Sequence, residues 1–289
     1  IGVAKYYDDC LGAPWAGGLP PLEDAQLVAT KSVPELTKLA AADDGLAAGG
    51  AVTIDALSAA LRGGLDVAWN AAAAHLDRVA NTQVRNSATW AGNLALAARA
   101  DGFPSDVAVS LACLGAELSV SRRDGKTKRR LQKLAVVDFL TGWRAGDVVV
   151  EVFVPRSPAG TTARCDKVAA RHANAHAYVN AGLSVRVTSG VVASARLFFG
   201  GVAPKTKLFR ATAAEAALTG KPVADADAFQ AAVAALRAQL PTDDAYATDC
   251  AVQLLYKACL LAQPSLPPRV ANSLRSLAAH RPPSSGARD

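Results

Sequence analysis

Apolar positions along the chain fall into two periods. From Thr53 to Leu61 they recur at helical spacing behind a Thr53 cap, with Asp55 in the first turn, predicting an amphipathic helix. Residues Val67 to Ala80 predict a second helix, with Trp69, Ala72, Ala73, Leu76 and Val79 on one stripe. Asp106 to Ala116 is an apolar segment of helix length, and a strand begins at Glu117 and runs to Ser121. Leu46 to Val52 reads as a short apolar strand. Val148 to Val154 is nearly all Val, which suits a strand buried on both faces and ended by Pro155. Ala181 to Thr188 and Val191 to Phe199 predict a hairpin turning at Ser189-Gly190, followed by helices over Thr212 to Leu218, Asp225 to Leu240 and Asp244 to Leu261. Upstream, Ile1 to Tyr7 reads as a strand without its beginning, Gly12 to Pro21 as a loop, and Ser32 to Leu36 as a helix opening. Asn81 to Asn93, rich in Asn, Thr, Ser and Gly, favours turns over any regular element.

This order of elements is that of an α+β chain of two lobes. The Pro and Gly between Pro155 and Gly160 mark the boundary, giving lobes over 1–160 and 161–263, and the Pro- and Ser-bearing stretch 264–289 reads as a tail or linker.

Composition narrows the class. The 289 residues are 51% hydrophobic, ample for a core, which excludes a disordered or collagen-like chain. With no Met in the sequence, Ile1 is expected to lie downstream of the biological start. No uncharged run reaches the ~18 residues that cross a bilayer, and the first residues lack a secretion signal's basic and apolar regions. No membrane association is expected. The net charge of +6 is mild for nucleic-acid binding. Its one concentration is Arg122 to Lys133, where seven positive charges surround an Asp124-Gly125 turn signal. That segment reads as a solvated hairpin whose charges guard a sheet edge, with an anionic docking surface as the alternative. It lacks interleaved aromatics, so no nucleic-acid partner is expected. The five cysteines form no C-x-x-C pair, which argues against a disulfide framework or metal cluster and for a reducing, cytoplasmic compartment. His172 and His176 would share a face if helical, but no third ligand follows, so no metal site is expected.

The usual dinucleotide, P-loop, hydrolase and zincin signatures are absent. The informative stretch is the dense polar segment Asn81 to Leu94, whose small residues let backbone amides approach a ligand and whose hydroxyl and amide side chains can donate to a diphosphate. Within it, Gln83-Val84-Arg85-Asn86 and Gly92-Asn93 resemble the Q-[VI]-R-N…[GA]-G-N signature in the flavin domain of the molybdenum hydroxylases, the group that contains xanthine dehydrogenase, aldehyde oxidase and the CO dehydrogenase flavoprotein. The resemblance extends to Asp106–Ala116, to the strand Asp147–Pro155, to Lys167 with Arg171, to Tyr178–Gly182 and to Phe199-Gly200-Gly201-Val202-Ala203, and so covers the chain to about Leu261. It departs at Ala91, where the family has glycine, at Leu96, where it has threonine, and in a longer Ala97 to Ser105 segment.

The resemblance implies a two-lobed FAD-binding (PCMH-type) domain truncated before Ile1, followed by a carboxy-terminal lobe of antiparallel sheet backed by helices. Carried across by position, the FAD contacts are expected at Ile1, Val79, Ala80, Thr89, Trp90, Ala91, Gly92, Asn93, Asp106, Val149 and Lys167. The implied function is electron transfer within a xanthine dehydrogenase- or aldehyde oxidase-like oxidoreductase, from iron–sulfur clusters to NAD or dioxygen. No protein acid or base is then required, because the cofactor carries the redox step. The 2Fe-2S clusters and molybdopterin are expected on other domains or subunits, in an assembly that is a homodimer. The alternative is a diverged member that keeps the fold as a structural or interaction module without flavin.

Overall fold

A computed structural model describes residues 29–270, apart from 125–127, 173, 204–205, 242, 264 and 267–268. The readings at Ile1–Tyr7 and Gly12–Pro21, the tip of the basic hairpin and nearly all of the tail therefore lie outside the described residues.

The first half opens with a 3-10 turn at Thr30–Ser32 and the short helix α1 (Pro34–Thr37), then strands β1 (Leu39–Ala41) and β2 (Gly45–Gly49). Helices α2 (Ile54–Gly63), α3 (Val67–Leu76), α4 (Thr82–Ser87), α5 (Trp90–Arg99) and α6 (Asp106–Cys113) follow, then β3 (Glu117–Asp124), β4 (Lys128–Ala135), α7 (Val136–Thr141) and β5 (Val148–Pro155). The five strands form one antiparallel sheet in the order β1-β2-β5-β3-β4. The second half is β6 (Thr161–Ala169), β7 (Ala177–Thr188), β8 (Val191–Gly200), β9 (Phe209–Arg210), and helices α8 (Thr212–Leu218), α9 (Ala226–Gln239) and α10 (Ala245–Ala262). Its four strands are antiparallel in sequence order, and the fold is α+β as expected.

Local chemistry explains most boundaries. The Thr53 side chain accepts from the Ala56 amide and opens α2, and Asp225 and Asp244 cap α9 and α10 in the same way. Ser189 and Gly190 turn the β7–β8 hairpin with φ of 51° and 78°, the pair of positive angles that a two-residue turn needs. Asp66 caps α3 through the amides of Ala68 and Trp69 and also accepts from Ser157, while the Trp69 indole donates to Pro155 O. The end of β5 is thereby fastened to the start of α3.

Four expectations change. Asn81 to Asn93 is largely helical: Asn81 caps α4 and Thr89 caps α5, so side chains that signal turns open two helices here. The Val67 helix stops at Leu76, and Ala80 sits at φ 44°. The strand buried on both faces is β7 rather than β5. Val149, Val152 and Val154 are buried while Val148 is 40% exposed and Val150, Glu151 and Phe153 are half-buried. β7 instead lies between α6 on one side and α10 on the other, and Val179 to Val185 are buried throughout. Finally, His172 lies on a bend and His176 in the irregular segment just before β7, both outside any helix, so the shared-face geometry does not arise.

β3 and β4 pair as the two arms of the basic hairpin, whose Asp124-Gly125 turn reading falls partly outside the described residues. β4 is an edge strand with Lys128 to Lys133 exposed. Arg130 pairs with Asp124 and Lys133 with Glu117, whereas Arg122 turns inward to Asp147.

The two halves share a core. Ala163, Cys165, Phe198 and Leu208 of the second half belong to the buried cluster of the first, and a second cluster fills the space between β7–β8 and helices α8 to α10. Gly182 sets the approach: a Cβ there would lie 1.9 Å from Val109 O, so only glycine admits α6 to this depth. Gly182→Ala should therefore cost about 3 kcal/mol or more, by overpacking against backbone, measured as a lower urea midpoint with unchanged slope.

Candidate functional site

The start of α5 is the most tightly specified turn in the first half. Thr89 Oγ1 accepts from the Gly92 amide at 3.0 Å, and Thr89 O accepts from Asn93 N at 3.1 Å. Trp90 donates its backbone amide to Val52 O and its indole to Gly49 O at 2.8 Å, which pins the helix start to the end of β2. Those bonds leave Ala91 N as a first-turn donor with no protein acceptor among the described residues, beside exposed Gly92 and half-buried Thr89 and Asn93. Val149 closes one side. A Cβ on Gly50 would stand 2.2 Å from Val149 O and 3.5 Å from the Ala91 Cβ, so the glycine lets β5 and α5 meet. Thr89 to Asn93 and Val149 are thus brought together.

A second helix start is tied to the first. Ser105 Oγ donates to Asn93 Oδ1 at 2.6 Å and accepts from Ala108 N, so it caps α6 while gripping α5. The longer 97–105 segment therefore does not carry Asp106 away. One Asp106 oxygen accepts from Lys167 Nζ at 2.8 Å, and the other accepts from Asn180 Nδ2 at 2.8 Å. His75 Nε2 lies 3.3 Å from that second oxygen, without hydrogen-bond geometry. Burial alone would raise the Asp106 pKa, but the adjoining His75 and Lys167 hold the carboxyl well below the ordinary carboxylate range.

Lys167 is enclosed completely and distributes its ammonium donors to Arg78 O at 2.9 Å, Asp106 and Ala175 O at 3.4 Å. It thus has a full complement of acceptors within the protein. A direct contact from Lys167 to a bound molecule would require exchange of one of these partners. The Val79–Ala80 corner sits alongside. Arg78 pairs with Asp166, Arg85 donates to Val79 O, and Asn174 N donates to Ala80 O. Val79, Ala80, Asp106 and Lys167 are therefore adjacent, and Asn93 joins them to Thr89–Gly92. Ile1 lies outside the described residues.

Sequence reasoning did not single out Gly50, Ser105, His75 or Asn180. Ser105 carried a signal as a cap before an apolar helix, and the Gly49-Gly50 doublet marked a close approach. His75 carried none, being one polar position on an apolar stripe.

Chemically, a helix start with a spare amide, a glycine and hydroxyl and amide side chains suits anionic oxygens. Val149 and Ala91 add apolar surface. Asp106 and Lys167 satisfy each other, so this arrangement offers no acid–base pair to a substrate. Among the described residues, no group of three or more His, Cys, Asp or Glu could hold a metal ion.

Residues 20–157 match the family model described as the FAD binding domain in molybdopterin dehydrogenase, and residues 164–262 match the CO dehydrogenase flavoprotein C-terminal domain. Indole-3-acetaldehyde oxidase of Arabidopsis thaliana is 29% identical over 241 residues, covering 78% of this chain and 18% of that protein. The 6-hydroxypseudooxynicotine dehydrogenase complex subunit alpha of Paenarthrobacter nicotinovorans is 35% identical over 94 residues, covering 32% of this chain and 30% of its own length. The chain thus spans less than a third of these curated relatives. Among solved structures, a carbon monoxide dehydrogenase from Hydrogenophaga pseudoflava superposes with a TM-score of 0.63 at 26% identity, covering 78% of this chain and 77% of that one.

Lys167→Ala would leave a buried carboxylate without its cation and should cost about 3 to 5 kcal/mol in urea unfolding. Because the folded Asp106 pKa is depressed, its contribution is present above the unfolded value of about 4 and is lost as pH falls toward the folded one. Between pH about 4 and about 2, unfolding free energy should fall more steeply with acid for the wild type than for Asp106→Asn.

Proposed function

The chain belongs to the flavoprotein family of the molybdenum hydroxylases, and on that premise we propose that it is the FAD-bearing electron-transfer part of a larger oxidoreductase. The observation that carries this reading is the start of α5, where the Ala91 amide, Thr89, Gly92 and Asn93 face one another and a hydrogen bond from Ser105 holds the start of α6 alongside. These residues fit the diphosphate of a dinucleotide, and Val149 with Ala91 fits the apolar part of its ring system.

When bound, FAD supplies the redox chemistry that amino-acid side chains lack. In this reading Thr89 and the Ala91 amide bind anionic oxygens, Gly92 keeps the approach open, and Asn93 both binds and positions. Trp90 is fully buried and contributes by its bonds to Gly49 O at the end of β2 and to Val52 O just beyond it, which fix the orientation of the turn. Val79 and Ala80 form the opposite rim. Asp106 and Lys167 act chiefly by holding that rim to the start of α6, and Ile1 would complete the site from upstream.

Electrons reach this site from iron–sulfur clusters and leave to NAD or dioxygen, with the clusters and the molybdopterin on partner domains or subunits. The working assembly is a homodimer in a reducing, cytoplasmic compartment. The four described cysteines are free, and no helix of the described residues is long and apolar enough to cross a membrane.

The test is the visible spectrum of the purified protein. Stoichiometric flavin absorbance is expected; colourless protein that takes up no added FAD would leave the family fold without the cofactor role. Gly92→Val should weaken FAD binding about tenfold or more, a loss of roughly 1.4 kcal/mol, with the far-ultraviolet spectrum unchanged. Reoxidation of the dithionite-reduced protein by NAD under nitrogen, compared with dioxygen, identifies the acceptor.

A further inference from the structure

Away from the α5 start, two thiols face each other across the seam between the halves. Cys113, the last residue of α6, and Cys165, in the middle of β6, have sulfurs 3.6 Å apart, and both are free. Their juxtaposition is held on every side. Cys113 Sγ donates to Ser110 O, and Cys113 O accepts from Ser184 Oγ at 2.7 Å on β7. Directly across the strand pair from Cys165 stands Gly182, where a Cβ would come 3.2 Å from that of Cys113. The glycine that seats α6 on the second sheet therefore also brings the two sulfurs into contact.

We propose that Cys113 and Cys165 are an oxidisable dithiol, a target for hydroperoxides, whose disulfide links the two halves of the chain. The inference does not depend on bound flavin. Cys165 is 9% exposed and Cys113 is fully enclosed, so Cys165 meets the oxidant first. Its sulfur attacks one peroxide oxygen and the O–O bond breaks. One water leaves, and a sulfenic acid remains. Cys113 sulfur then attacks Cys165 sulfur, the S–O bond breaks, and a second water leaves with the thiol proton. Overall, two thiols lose two electrons and two protons, and one hydrogen peroxide becomes two waters. The sulfurs must close from contact distance to the roughly 2.05 Å of a disulfide. The hydrogen bond to Cys165 and burial push the Cys113 thiol well above the ordinary range, while Arg196, against Gly115 at the end of α6, opposes them. Cys113 is thus a thiol at neutral pH.

The ring so closed is long, since 52 positions separate the two residues, and a closure of that length stabilises chiefly by restricting the unfolded chain. The experiment treats the purified full chain with hydrogen peroxide, alkylates remaining thiols in denaturant and maps the peptides by mass spectrometry. The expected result is one cross-linked species joining the Cys113 and Cys165 peptides, two hydrogens lighter than their sum, with Tm raised by about 5 to 10 °C and restored by dithiothreitol. Separately alkylated Cys113 and Cys165 after treatment would overturn the proposal, as would Cys165 sulfinic acid without a cross-link. The wild-type map needs no variant. In Cys113→Ser, peroxide should leave Tm where it was, and a rise equal to that of the wild type would equally sink the idea.

Discussion

A buried ion pair at the seam sets the terms for the rest of the molecule. The Lys167 ammonium and the Asp106 carboxylate are both removed from water, and an uncompensated charge in that position costs several kcal/mol. Each must therefore be surrounded by partners, and the partners come from different parts of the chain: Arg78 O at the end of α3, Ala175 O before β7, Asn180 on β7 and His75 on α3. Satisfying two charges fixes four segments at once. The α5 turn inherits its position from this arrangement, because Ser105 at the start of α6 reaches Asn93 on α5.

Around that pair, small residues set distances. Gly182 admits α6 to the second sheet, and Gly50 admits β5 to α5. In both places a single Cβ would meet backbone, which unlike a flexible side chain cannot swing aside. The result is a first half whose core includes residues of the second, so the two lobes are interdependent despite their separate sheets. The electrostatics divide the same way. Arg122 is drawn inward to Asp147, while its neighbours on the β3–β4 hairpin stay in water along an open sheet edge. Charge at such an edge opposes pairing with other chains.

Much of this was legible in the chain itself. The Thr53 cap, the Ser189-Gly190 turn and the apolar patterns of the last three helices marked their elements within a residue or two, because each signal is local, whereas β7 begins four residues before the Ala181 read from the sequence and β6 carried no reading. The motif Gln83 to Asn93 identified the family on residue types alone. What misled was also local: Asn81 and Thr89 carry turn chemistry, and the same side-chain oxygens cap helices. Val148 to Val154 reads as doubly buried because β-branched residues suit any strand, whereas burial depends on what covers each face.

Sequence alone determined the α+β class, the family and those helices and hairpins that open on local caps and turns, since these follow from short-range periodicity, turn chemistry and residue identity. Only the tertiary structure decided that Asp106 and Lys167 neutralise each other, that Ser105 holds two helix starts together, and that Cys113 meets Cys165. Those contacts join positions twelve, fifty-two and sixty-one residues apart, and pairing at such range is set by how the sheets and helices pack.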